Sequence, residues 1–75
     1  MPEKFYIELG DRLRTARTKK GYSLQDVAER VGKSRKTILN WETGTHKIDM
    51  DVLKRVCDIL DLDVRKVVDE LIRFL

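Results

Sequence analysis

Seventy-five residues suffice for one small domain, and a net charge of +3 with a single cysteine and a single histidine narrows what that domain can do. One cysteine forms no internal disulfide, one histidine rules out a multi-histidine metal site, and no 18-residue apolar run exists to span a membrane. The opening MPEKFYIELGD lacks the apolar run of a secretory signal, so a reducing, cytoplasmic setting is expected.

The charge is unevenly spread. Residues 1–47 hold 11 Lys or Arg against 6 Asp or Glu, whereas residues 48–75 hold 5 against 7. A cationic N-terminal part facing away from an acidic C-terminal one suits a polyanionic partner; a merely solvated, lysine-rich surface is the plainer alternative.

In chain order, a first helix is predicted from near Pro2 or Lys4 to about Lys20, with Tyr6, Leu9, Leu13 and Ala16 as its apolar stripe, Phe5 beside it, and Gly21 at its end. Gly10 costs that helix about 1 kcal/mol relative to Ala, which points to a close backbone contact. Arg12, Arg14, Lys19 and Lys20 lie off the stripe, available to solvent or phosphate. Leu24, Val27, Ala28 and Val31 then mark a second helix, with Ser23 and Asp26 spaced as a capping box and Gly32 as its stop. Ser34 is placed to cap a third, from Arg35 to about Thr43, closed by Gly44.

The third helix is too short to stand alone and must be held by packing. At about 100° per residue, Ile38, Trp41 and Glu42 share one side; Lys36, Asn40 and Thr43 share the other, flanked by Thr37 and Leu39. The loop Thr45-His46-Lys47-Ile48 follows. Asp49 is the expected cap of a fourth helix with Leu53, Val56, Cys57 and Leu60 inward, helped by Met50. Asp61-Leu62-Asp63 makes a turn, with Asp63 capping a fifth helix from Val64 that could run to the end. Val68, Leu71, Ile72, Phe74 and Leu75 give that helix more apolar surface than packing on so small a core requires. They are expected to form a homodimer seam; a last turn folded back on the core, or a chain cut from a longer protein, stays open.

The stretch SLQDVAERVGKSRKTILNWETG, with RLRTARTKKGYS before it, resembles the helix-turn-helix of the Cro and phage-repressor family over roughly Leu9 to Val68. The resemblance implies an all-α, compact five-helix, lambda repressor-like DNA-binding domain over residues 1–75, the helix-turn-helix (about 23–44) being formed by helices two and three. It implies sequence-specific binding of double-stranded DNA by a transcriptional regulator, a repressor by expectation, bacterial or phage-encoded. The third helix would lie in the major groove, a homodimer engaging a palindromic operator. Carried over by position, base reading falls to Arg35, Lys36 and Asn40, with Thr37, Thr43 and Leu39 as helpers, although Leu39 is equally a surface apolar residue. Phosphate contacts fall to Ser23, Lys19, Lys20, Lys33, Thr45 and Lys47, with His46 near the DNA backbone. Arg17 would pair with Glu42 as a structural ion pair, a phosphate contact by Arg17 being the alternative. Three positions depart from the family pattern: Leu24 where Gln is common, Lys33 where an apolar residue is, and Ile48 where Pro is, leaving that loop less rigid.

An antitoxin-like or other protein-interaction module, docking through the apolar C-terminal helix, is the main competing reading. RNA binding is disfavoured by the scarcity of aromatics for stacking. No catalytic residue, metal or cofactor is expected: Ser23 and Ser34 serve as caps, and neither a CxxC nor an HxxxH spacing occurs.

Overall fold

The computed structural model describes residues 3–75, which form five α-helices: α1 (Lys4–Lys19), α2 (Leu24–Val31), α3 (Arg35–Thr43), α4 (Met50–Ile59) and α5 (Val64–Leu71). A 3-10 turn, Ile72–Phe74, follows α5. The boundaries have local causes. Before α2, the Asp26 N–H donates to Ser23 Oγ at 3.0 Å while the Ser23 N–H donates to Asp26 Oδ2 at 2.8 Å, a complete capping box. Ser34 Oγ accepts from the Thr37 N–H at 3.1 Å to start α3, and Asp63 Oδ1 accepts from the Arg65 N–H at 3.0 Å to start α5. Gly32 and Gly44 end α2 and α3 in the left-handed region, at φ 79° and 76°.

Four expectations about the C-terminal half are corrected. Asp49 has the extended backbone of an N-cap, but its side chain makes no capping bond, so the start of α4 is held otherwise. Met50 is 62 % exposed and does not help the inward face of α4. Ile48, far from leaving its loop loose, is buried in the core and anchors the loop by packing instead of by a proline ring. Finally, α5 stops at Leu71 and the chain tightens into the 3-10 turn, so the helix does not run to the end.

The core runs between all five helices, with Leu9, Val27, Leu53 and Cys57 the most deeply enclosed of its large side chains. Its tightest point is the crossing of α1 over the end of α3. A Cβ on Gly10 would stand 2.4 Å from the carbonyl oxygens of both Trp41 and Glu42, and one on Gly44 would stand 2.8 Å from Ile7 Cα. Backbone therefore meets backbone there, which explains why a helix interior tolerates a glycine. Polar ties complete the frame: Arg55 Nη2 donates to the Val31 carbonyl at 2.8 Å, joining α4 to the end of α2, and Arg12 meets Glu70 at 2.6 Å between α1 and α5. The first satisfies a carbonyl that the helix end leaves without an intrahelical partner; the second is half-exposed and screened by water, so it contributes little.

Candidate nucleic-acid interface

Helix α3 is divided lengthwise. Ile38, Trp41 and Glu42 are buried, while Arg35, Lys36 and Leu39 are exposed and Asn40 and Thr37 half-exposed. Glu42 is the one carboxylate of this helix, and it is turned inward. Arg17 Nε donates to Glu42 Oε2 at 2.6 Å, Nη2 donates to Oε1 at 3.0 Å, and Nη1 donates to the Tyr22 carbonyl at 2.8 Å. The bidentate pair is 12 % exposed on the arginine and 4 % on the glutamate, so Arg17 is committed to the frame. The outward side of α3 is left cationic and amide-bearing.

The residues at the start of α3 stand freest. Among the described residues no ion pair holds Lys33, Arg35 or Lys36. The threonines are engaged: Thr37 Oγ1 lies 2.9 Å from Ser34 Oγ, and Thr43 Oγ1 donates to the Leu39 carbonyl at 3.1 Å and lies 2.8 Å from Thr45 Oγ1. Asn40 Nδ2 lies 3.3 Å from His46 Nδ1. An amide nitrogen can only donate, so in this contact Nδ1 is the acceptor.

The expected phosphate set does not form one row of free cations. Lys19 and Lys33 are exposed. Lys20 instead bonds Asp61 Oδ2 at 2.6 Å, and Lys47 meets Glu3 Oε1 at 2.8 Å while lying over the Tyr6 ring; in each case the neighbouring carboxylate raises the lysine pKa. Each lysine is thus paired, because a carboxylate distant in sequence is folded against it. Ser23 is likewise occupied by the capping box. Its N–H and hydroxyl hold the Asp26 carboxyl below the ordinary aspartate range, so a negative charge sits at the start of α2. Arg30 flanks the same end, its guanidinium 4.3 Å over the Tyr22 ring and donating to the Asp26 carbonyl at 3.0 Å; its spacing of four from Asp26 was the only sequence signal for it.

At the C-terminal helix the expected dimer seam is only partly available. Leu71 is 2 % exposed, enclosed by its own core, and is withdrawn from the seam. Phe74 is half-buried on that core, with Lys4 Nζ 5.2 Å above its ring, so the last turn folds back. Val68 is half-buried, whereas Ile72 and Leu75 are exposed at 53 % and 72 %. An open groove beside them is lined by Met50, Val64, Arg65, Lys66, Val68 and Asp69. Among the described residues no cluster of three His, Cys, Asp or Glu could hold a metal ion, and no helix is long and apolar enough to cross a membrane.

With this geometry in place, comparison with known proteins is informative. Residues 13–67 match the Helix-turn-helix family model. A protein of Pyrococcus furiosus, named as a helix-turn-helix-type transcriptional regulatory protein, is 38 % identical over 66 residues, covering 87 % of this chain and 21 % of its own length. The chain thus spans about a fifth of the curated relatives it matches, and these relatives are archaeal, in contrast to the bacterial or phage setting the resemblance implied. Among solved structures, the clp gene regulator ClgR from Corynebacterium glutamicum superposes with a TM-score of 0.82 at 30 % identity, covering 89 % of this chain and 86 % of that one. The biofilm master regulator SinR, solved in complex with DNA, gives a TM-score of 0.72 at 28 % identity, covering 80 % of this chain and 97 % of that one. Five helices in this order, the Ser23–Gly44 geometry and the matched family model lead to one conclusion: the chain belongs to the helix-turn-helix family of Cro and phage-repressor type, a family of DNA-binding transcriptional regulators.

Proposed function

We propose that residues 1–75 act as one unit that binds duplex DNA sequence-specifically and represses transcription, with α3 in the major groove. The observation that carries this is the division of α3: its only carboxylate is buried against Arg17, while Arg35, Lys36, Leu39 and Asn40 face outward or half outward. Arg or Lys bonds guanine O6 and N7, Asn pairs bidentately with adenine, and Leu39 suits a thymine methyl. Thr37 and Thr43 support these residues through their neighbours. Lys19 and Lys33 serve the phosphates, and Lys20, Lys47, Thr45 and Ser23 join them only by leaving Asp61, Glu3, Thr43 and Asp26.

The protein acts as a homodimer whose seam is Val68, Ile72 and Leu75 with Met50 and Val64, in place of the fuller set read from sequence. Two copies would then read half-sites about 34 Å apart on one face of the duplex. Selection of random duplexes by the purified protein, with sedimentation for its mass, tests both parts. An enriched palindrome and a dimer mass are expected; binding that shows no enrichment and vanishes as salt rises would reduce the surface to a basic patch. A monomer that still selects one half-site would favour the alternative use of the apolar C-terminal face, docking of a different protein.

A further inference from the structure

The residue between Thr45 and Lys47 is tied to the recognition helix at two points. The loop after Gly44 folds back over the last turn of α3, so that the Asn40 carbonyl accepts from the Thr45 N–H at 3.0 Å and from the His46 N–H at 3.3 Å. The contact between the Thr43 and Thr45 hydroxyls, at 2.8 Å, staples the same loop. His46 is thereby anchored by its backbone to the residue whose side chain its ring touches, Asn40 Nδ2 donating to His46 Nδ1 at 3.3 Å.

We infer that His46 is a positioning residue for base reading, holding the Asn40 amide in the orientation that recognises adenine; this rests on the assignment of Asn40 to base readout made above. The terminal torsion of an asparagine is broad and nearly two-fold, so a half-exposed amide presents either edge to a base. Only one orientation matches adenine, with Oδ1 accepting from N6 and an N–H donating to N7. His46 takes one hydrogen of the Nδ2 group, and no other hydrogen bond among the described residues engages Oδ1 or the second hydrogen, the pair that adenine requires. The ring thus orders the amide before DNA arrives, removing the cost of immobilising that side chain on binding. No phosphate contact by His46 is needed for this role.

The test uses the full chain with His46→Ala, His46→Gln, His46→Lys, Asn40→Ala and the Ala/Ala double variant. Each is titrated at fixed salt against duplexes carrying all four base pairs at the position where Asn40→Ala relaxes selectivity. His46→Ala is expected to reduce the preference for A·T at that position by about 2- to 10-fold, the range set by ordering one side chain, and to leave other positions unchanged. His46→Gln, whose side-chain oxygen accepts the amide hydrogen, retains the preference; His46→Lys, a cation without an acceptor, does not. In the Asn40→Ala background, His46→Ala has no further effect at that pair. A uniform loss on all duplexes that His46→Lys restores would overturn the inference and make His46 a phosphate contact. Unchanged preference in His46→Ala, with Asn40→Ala still relaxed, overturns it alone. No relaxation in Asn40→Ala overturns the base-reading assignment and the role of His46 with it.

Discussion

Adding a single methyl group at Gly10 provides a sharp test of how α1 meets α3. In the Gly10→Ala protein the new Cβ would lie 2.4 Å from two carbonyl oxygens and 2.6 Å from the Glu42 carbonyl carbon. Comfortable contacts to carbon begin near 3.5 Å, so the helices must part by about 1 Å. All three obstructing atoms are backbone, and they cannot rotate away. The Trp41 carbonyl accepts from the Gly44 N–H at 3.2 Å, and Glu42 is fixed by Arg17. Alanine's helix propensity favours the variant by about 1 kcal/mol, while overpacking costs up to about 3 kcal/mol where the surroundings cannot yield. The net is a loss of about 2 kcal/mol, which lowers Tm by roughly 10 °C for a domain of this size. Thermal unfolding followed by circular dichroism measures it, with Asp11→Ala on the exposed side of the same helix as control. A Gly10→Ala protein as stable as the original, or more so, would refute the backbone-to-backbone crossing.

Glu42→Ala leaves the Arg17 guanidinium without its partner in a site only 12 % exposed and is expected to cost about 3–5 kcal/mol in urea unfolding; a cycle with Arg17→Ala should show the two losses to be far from additive, and additivity would argue against a coupled pair. The Asp26 carboxyl is held below its ordinary value by Ser23, so its contribution is present at neutral pH and is lost as the pH falls through its folded value; melting between about pH 5 and pH 2 should show a flatter acid decline in Asp26→Asn, and parallel curves would contradict the capping box. Burial pushes the Cys57 thiol up to about 11, so it stays protonated and shielded: a disulfide reagent at neutral pH should leave it unmodified until urea unfolds the chain. The same shift stabilises the fold below the ordinary thiol range and is lost as the pH climbs toward 11, so base should lower Tm less in Cys57→Ala than in the parent.

What could be read from the sequence was what is decided within a turn or two of chain. Ser23, Ser34 and Asp63 announce helix starts because a short side chain bonds a backbone N–H two or three residues on. Gly10 could be singled out because a glycine inside a helical pattern asks for a reason, although only the fold supplies the carbonyls of Trp41 and Glu42. The C-terminal face was harder. Periodicity marks Leu71 and Ile72 alike as apolar, yet one is enclosed and the other open, because the helix tightens between them and the chain turns back under Lys4. Lys20 and Lys47 posed a similar problem: their acids, Asp61 and Glu3, lie 41 and 44 positions away, and no local rule joins them. The contact of His46 with Asn40 spans six residues but depends on the loop doubling back at Gly44, which spacing alone does not disclose.

The two-sided character of α3 also bears on how such a protein can change. Anchoring is concentrated in Ile38, Trp41 and Glu42, whereas Arg35, Lys36 and Leu39 touch little of the frame. Substitutions at such exposed positions usually alter stability by less than about 0.5 kcal/mol. On the proposed assignment of α3 to base reading, folding and target choice are nearly independent variables in this chain. A lineage carrying it would then drift to a new DNA sequence through a few exposed positions of one short helix, with no compensating change elsewhere, and a library varied at those positions should return folded proteins almost throughout.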